Sequence, residues 1–218
     1  MTWAEIKLKT LQLMFSNETA ELTEDDGNLE YINAMPGVCN DALSMVTALI
    51  PVRGKFILVL SADAAEAVEE DGKLTLPVNP GAAYQVELKD YCPDFRALDA
   101  DEIYQDIDGT HRRMTEYSVE NESIFVVSGA AAETVTIYYL RYATLLTSTT
   151  DGAAELNVPR EIAELLPLYM ASQLYKDDDL SMAVQYRNEF EDALQKLQSS
   201  HRQRPTGSGS YRNTTGWW

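Results

Sequence analysis

The chain has 218 residues, 17 basic and 35 acidic, for a net charge of −18. Such a balance excludes binding to nucleic acid through general electrostatics, and the length is enough to bury a core without covalent staples. Two cysteines, Cys39 and Cys92, are too few and too distant for a disulfide framework or a metal-ligand set, so both read as reduced thiols. No apolar run is long enough to span a membrane, and the opening Met1-Thr-Trp-Ala-Glu5 lacks the basic start and apolar stretch of a signal peptide, so synthesis in the cytosol is expected.

The charge is unevenly placed. From Ser199 to Trp218 there are three arginines and no acid; without those three, 14 bases face 35 acids over residues 1–198, a net of −21. Solubility accounts for this excess, and so does a surface past which DNA must slide without adhering.

Thr2-Trp-Ala-Glu5 has the form of a capping box, and Ile6, Leu8, Leu11, Met14 and Phe15 predict a helix to about Ser16. Asn17–Asn28 is an acidic connection. Its TEDDGN resembles fragments of a calcium loop but lacks the alternating ligands and terminal Glu, and reads as a solvated turn. Ile32, Met35, Cys39, Ala42, Val46 and Leu49 keep helical spacing, and Pro36-Gly37 predicts a kink or a break among them.

From Arg53 to Tyr142 the period becomes two. Strands are predicted over Lys55–Ser61, Leu74–Val78, Ala83–Leu88, Glu102–Ile107, Met114–Val119, Ile124–Ser128 and Thr134–Tyr142, separated by turn signals such as Asp71-Gly72 and Asp108-Gly109. The last strand places Val135, Ile137, Tyr139 and Arg141 on one face and Thr136, Tyr138, Leu140 and Tyr142 on the other; bulk on both faces suits a central strand.

Residues 157–198 carry two further helical stripes. One runs through Ile162, Leu165, Leu166, Tyr169 and Leu174; the other through Ala183, Tyr186, Phe190, Leu194 and Leu197. Pro159 suits a first helical turn, Pro167 predicts a kink, and Lys176–Asp179 reads as a solvated joint. Beyond Gln198 the Ser/Gly/Thr-rich, purely basic tail has no core periodicity and ends in Trp217-Trp218, side chains typical of interface anchors.

The expected fold is therefore α+β. N- and C-terminal helices (1–52 and 150–198) form a discontinuous helical bundle, 53–149 an inserted antiparallel β-sandwich or small barrel, and 199–218 a flexible basic arm. No hydrolase triad, zinc motif, phosphate loop or dinucleotide fingerprint occurs, and the two histidines, His111 and His201, lie apart. The chain reads as no enzyme, with no cofactor and no metal.

This arrangement resembles the head–tail connector (adaptor) proteins of tailed bacteriophages. The residues that carry the resemblance are T-W-A-E-I-K-L-K, I-N-A-M-P-G-V-C-N-D-A-L-S-M-V, D-Y-C-P-D-F-R-A-L-D-A-D-E-I-Y at 90–104, N-V-P-R-E-I-A-E-L-L-P-L-Y-M-A-S-Q-L-Y-K-D-D-D and A-V-Q-Y-R-N-E-F-E-D-A-L. It covers about Thr2 to Leu197. It implies a virion component made in the host bacterial cytoplasm: a homo-oligomeric ring, typically of twelve, under the portal protein, with the subunit monomeric when free. Such a ring extends the DNA channel, lets DNA pass without specific recognition, and meets the next neck or tail protein. It further implies an arm that reaches the portal, for which Arg202, Arg204, Tyr211, Arg212, Trp217 and Trp218 are the candidates. The ring contact is expected from the helical part. A second reading is a surface- or carbohydrate-binding module on a helical base, marked by an aromatic cluster of Tyr138, Tyr139 and Tyr142 on an exposed sheet face.

Overall fold

The computed structural model describes residues 1–15, 27–62, 64, 66–70, 72–78, 83–107, 109–121, 124–128 and 134–203. In chain order these form α1 (Trp3–Phe15), α2 (Leu29–Leu49), β1 (Val52–Ser61), β2 (Val68–Glu70), β3 (Lys73–Pro77), β4 (Ala83–Glu87), α3 (Leu88–Tyr91) and β5 (Phe95–Ile107). Then follow β6 (Thr110–Arg113), β7 (Tyr117–Glu120), β8 (Ile124–Ser128), β9 (Thr134–Arg141), α4 (Arg160–Ala163), α5 (Leu166–Leu174) and α6 (Leu180–Gln203). The chain divides into two compact units, one of residues 1–50 and 146–218, the other of 51–145.

In the helical unit, α5 lies against α1, α2 and α6. Its sequence, LPLYMASQL, has no charged residue, and none of its nine positions is exposed. A helix apolar all round is stable only when enclosed. Its buried Ser172 hydroxyl donates back to the Tyr169 carbonyl at 2.7 Å and so keeps a partner inside the helix. The capping box at the start of α1 is formed: the Thr2 amide donates to Glu5 Oε2 at 2.8 Å, and the Glu5 amide to Thr2 Oγ1 at 3.3 Å. The same turn is tied to the returning chain, with the Trp3 amide on the Ala154 carbonyl at 2.9 Å and the Ala4 amide on that of Gly152 at 2.8 Å.

Three helix expectations change. Of the kink or break expected at Pro36-Gly37, the break does not occur: helix α2 runs on through Pro36, which is itself buried. The missing donor costs one bond, to the Ile32 carbonyl, and the burial of Ile32, Met35, Cys39, Leu43 and Val46 outweighs it. Pro167 does not kink a long helix but starts a new one. It cannot donate to the Ala163 carbonyl, so α4 ends there and α5 begins with the proline in its first turn. Helix α6 continues to Gln203, five residues into the segment read as an arm, because no breaker precedes Pro205 in the sequence.

The β unit holds a six-stranded sheet, β2-β3-β1-β9-β5-β6, and a three-stranded sheet, β4-β8-β7. Strand β9 is central, as its two bulky faces require, between β1 and β5. The larger sheet is not purely antiparallel: β1 and β3 run parallel, with Leu58 opposite Leu74. The exposed Val68-Glu-Glu70 carries no apolar alternation and gave no strand signal, yet it pairs with β3 and turns β3 back alongside β1. The segment read as one strand, Met114–Val119, begins just past β6 with a buried Met114 outside any strand and reaches only the first three residues of β7. Gly109, in the turn that closes β5 onto β6 with Ile107 opposite Thr110, takes a φ of +72° that glycine alone adopts freely.

Both sheets bury their inner residues in one cluster that includes Phe56, Leu58, Val86, Ile103, Phe125, Val135 and Ile137. Gly54 lies opposite Tyr139, and a Cβ there would stand 2.3 Å from the ring. The ring cannot yield easily: it packs on Phe95 at 5.6 Å between centroids, and its hydroxyl donates to Asp94 at 2.9 Å. Gly54→Ala is expected to lower stability by about 1–3 kcal/mol, read as a lower denaturant midpoint. Tyr139→Phe, which keeps the ring and loses the bond, is expected to cost about 1 kcal/mol.

Both cysteines are free and buried. Burial pushes the Cys39 thiol up to about 12 and also raises that of Cys92. Neither is expected to react with a thiol-specific disulfide reagent at pH 8 until the protein is denatured, when both react. A thiol that reacts fast in the native protein would contradict this packing.

Candidate functional site

Among the described residues, each unit has a place where polar and aromatic side chains gather. In the helical unit, the joint between α5 and α6 is a fastening point for the ends of α1 and α2. The Tyr175 hydroxyl donates to the Met14 carbonyl, and the Tyr186 hydroxyl to that of Leu13 at 2.7 Å. Those two rings stack with centroids 6.1 Å apart. The Tyr31 hydroxyl, from the first turn of α2, donates to Asp178, and its ring meets Phe15 edge-on at 5.5 Å. Asp179 accepts from the Ser181 and Met182 amides at 2.9 and 3.1 Å, which makes it the N-cap of α6. The acidic joint, read as a solvated turn, thus holds a tertiary hydrogen bond and a helix cap.

The bond to Asp178, with a smaller contribution from burial, raises the Tyr31 pKa to about 12. A raised tyrosine pKa means that the Tyr31–Asp178 bond contributes its full stability below the unfolded value near pH ~10 and loses it as pH rises through the folded one.

In the β unit, the outer face of the six-stranded sheet carries a shallow dish of about 500 Å³, lined among others by Arg53, Lys55, Glu102, Tyr104, His111 and Tyr138. Most of its groups engage one another or a close neighbour. Tyr104 stacks on His111 at 4.9 Å and meets Tyr138 edge-on at 6.1 Å. The Tyr104 hydroxyl donates to Glu102 at 2.7 Å, Arg53 pairs with Asp99 at 2.9 Å, and His111 Nδ1 lies 2.6 Å from Asp106. The sequence held the signal: alternation from Glu102 puts Glu102, Tyr104 and Asp106 on one face. The aromatic trio expected for a binding module is not assembled. Tyr139 is inside the core, Tyr142 is exposed beside Arg96, and only Tyr138 joins the dish.

Of the residues expected in the arm, Arg202 stands in the last turn of α6. Arg204, Tyr211, Arg212, Trp217 and Trp218 lie outside the described residues. Among the described residues no group of three or more His, Cys, Asp and Glu side chains converges to hold a metal, and no helix is long and apolar enough to cross a membrane.

The model of the SU10 adaptor protein family matches residues 1–213. The chain belongs to that family. It is a family of phage head–tail adaptors, so the chain is a phage adaptor protein and a virion component. The match takes in both compact units, so the β unit belongs to the adaptor as the helices do. No curated protein matches the chain.

The fastening point at the α5–α6 joint is testable through its cap. Asp179→Ala is expected to cost about 1 kcal/mol, and Asp178→Ala to remove the late titration of Tyr31 seen in alkaline difference absorbance. An unchanged tyrosine titration in the second variant would show that Asp178 does not hold Tyr31.

Proposed function

We propose that the adaptor forms a ring under the portal protein, extends the DNA channel and joins the head to the next neck or tail protein. The observation that carries this reading is the family match through both units. The acid excess supports it. A surface with net negative charge lines a passage without holding the DNA that moves through it. The ring has the portal's symmetry, twelve in the usual case, and its subunit is monomeric when free.

The segment beyond α6 supplies the portal contact. It holds Arg204, Tyr211, Arg212, Trp217 and Trp218, with Arg202 just before it, and no acid. Arginine and tryptophan are the side chains that most often carry binding energy at interfaces, and a polar segment without core periodicity is suited to ordering on a partner. Tethering that contact to a ring multiplies it. The module reading has only the outer-face dish in its favour, and there most of the rings and charges are already engaged.

Truncation after Gln203 is expected to leave the far-ultraviolet circular dichroism and the denaturant midpoint unchanged while abolishing binding to the portal. Undiminished portal binding by the truncated chain would refute the arm's role. Electron microscopy of the full chain mixed with its portal is expected to show closed rings of matching symmetry.

A further inference from the structure

The two edges of the six-stranded sheet are unlike. At one edge β2, Val68-Glu69-Glu70, is exposed at every position; at the other so is β6, Thr110-His111-Arg112-Arg113. Following the pairings across the sheet gives two neighbouring rows. The first runs Glu69, Leu74, Leu58, Val135, Gln105, Arg112; the second runs Glu70, Lys73, Ile57, Thr136, Tyr104, Arg113. Each row begins at a glutamate on one edge and ends at an arginine on the other. Side chains of one row share a face of the sheet, so Glu69 and Arg112 lie on the core side and Glu70 and Arg113 on the outer side.

We propose that β6 of one copy pairs with β2 of the next, head to tail, joining the sheets of neighbouring copies around the ring; this rests on the ring reading above. The strand directions allow it. Strand β2 is antiparallel to β3, β3 parallel to β1, and β9, β5 and β6 alternate from there, so β2 and β6 point the same way. A neighbour placed by rotation alone therefore presents β2 parallel to β6. Pairing in register sets Glu69 beside Arg112 and Glu70 beside Arg113, each pair on a shared face. A symmetric dimer through either edge would set like charges together, which opposes it. Charge on short edge strands also guards sheets against aggregation. One sign at both edges would serve that purpose, whereas opposite signs leave head-to-tail pairing open and close the alternatives.

The test uses the full chain on its portal. Glu69→Cys combined with Arg112→Cys places two thiols on one row and one face of adjacent strands, within the Cα range of about 4.4–6.8 Å that a disulfide spans. Glu69→Cys with Arg113→Cys places them on opposite faces. Mild oxidation is expected to give a ladder of covalent multimers in the first variant and not in the second, since the native thiols are buried. Arg112→Glu with Arg113→Glu is expected to lower ring yield at least tenfold, and adding Glu69→Lys and Glu70→Lys to the same chain to restore it. Rings without a ladder, equal ladders in both cysteine variants, or no rescue by the four-fold swap would overturn the edge pairing and leave the ring intact. A wild-type chain that forms no ring on its portal would overturn the ring reading and the pairing together.

Discussion

The enclosure of α5 is the constraint on which the helical unit depends. A nine-residue helix with no charge and no exposed position has no stability alone, being shorter than isolated helices need to persist in water. It forms because α1, α2 and α6 surround it, and they come from both ends of the chain. The two ends must therefore meet before either is stable. The backbone bonds between Trp3–Ala4 and Gly152–Ala154 and the paired bonds between the Asn40 side chain and the Leu146 backbone, at 2.8 and 2.9 Å, fix that meeting in register. Residues 51–145 leave and return between anchored ends, which lets them fold as a unit with their own core.

Proline and acid act here as punctuation rather than as damage. Pro167 separates a short turn of helix from α5 and so sets where the buried helix begins. Asp178 and Asp179 end the passage from α5 to α6, one by receiving Tyr31 and the other by capping. The bond to Tyr31 spans 147 residues of sequence. No local rule predicts it, since any exposed carboxylate at the turn gives the same composition. This is why the joint was legible as a turn and illegible as a fastening.

The same division holds through the molecule. Features determined by residues a few positions apart were readable: the Thr2–Glu5 box, the two faces of β9, the turn at Gly109. Features determined by pairing partners were not. Val68-Glu-Glu70 is a strand only because β3 lies beside it, and without that strand β1 and β3 read as successive antiparallel neighbours. Pro36 would break an isolated helix, but the buried stripe on either side carries it through. The family resemblance was legible because most of it lies in helix-packing patterns, which are local. The candidate arm residues were legible as chemistry alone, by charge and aromatic character, and five of the six fall beyond the described residues.

In the proposed ring, charge works at two ranges in opposite senses. Copies of net charge −18 repel one another at a distance, with the force screened beyond roughly 8 Å at physiological ionic strength. Two exposed ion pairs at a sheet edge contribute about 0–1 kcal/mol each, and three residues of strand add few hydrogen bonds. Such a contact cannot gather free copies against their repulsion. It can select orientation once something else holds the copies side by side, because the local charges then lie within the screening distance and the entropy of encounter has already been lost. A weak, polar and directional edge is what an assembly needs if it is to close only on its template: strong enough to set the register between neighbours, too weak to polymerise before a portal is there to count the copies.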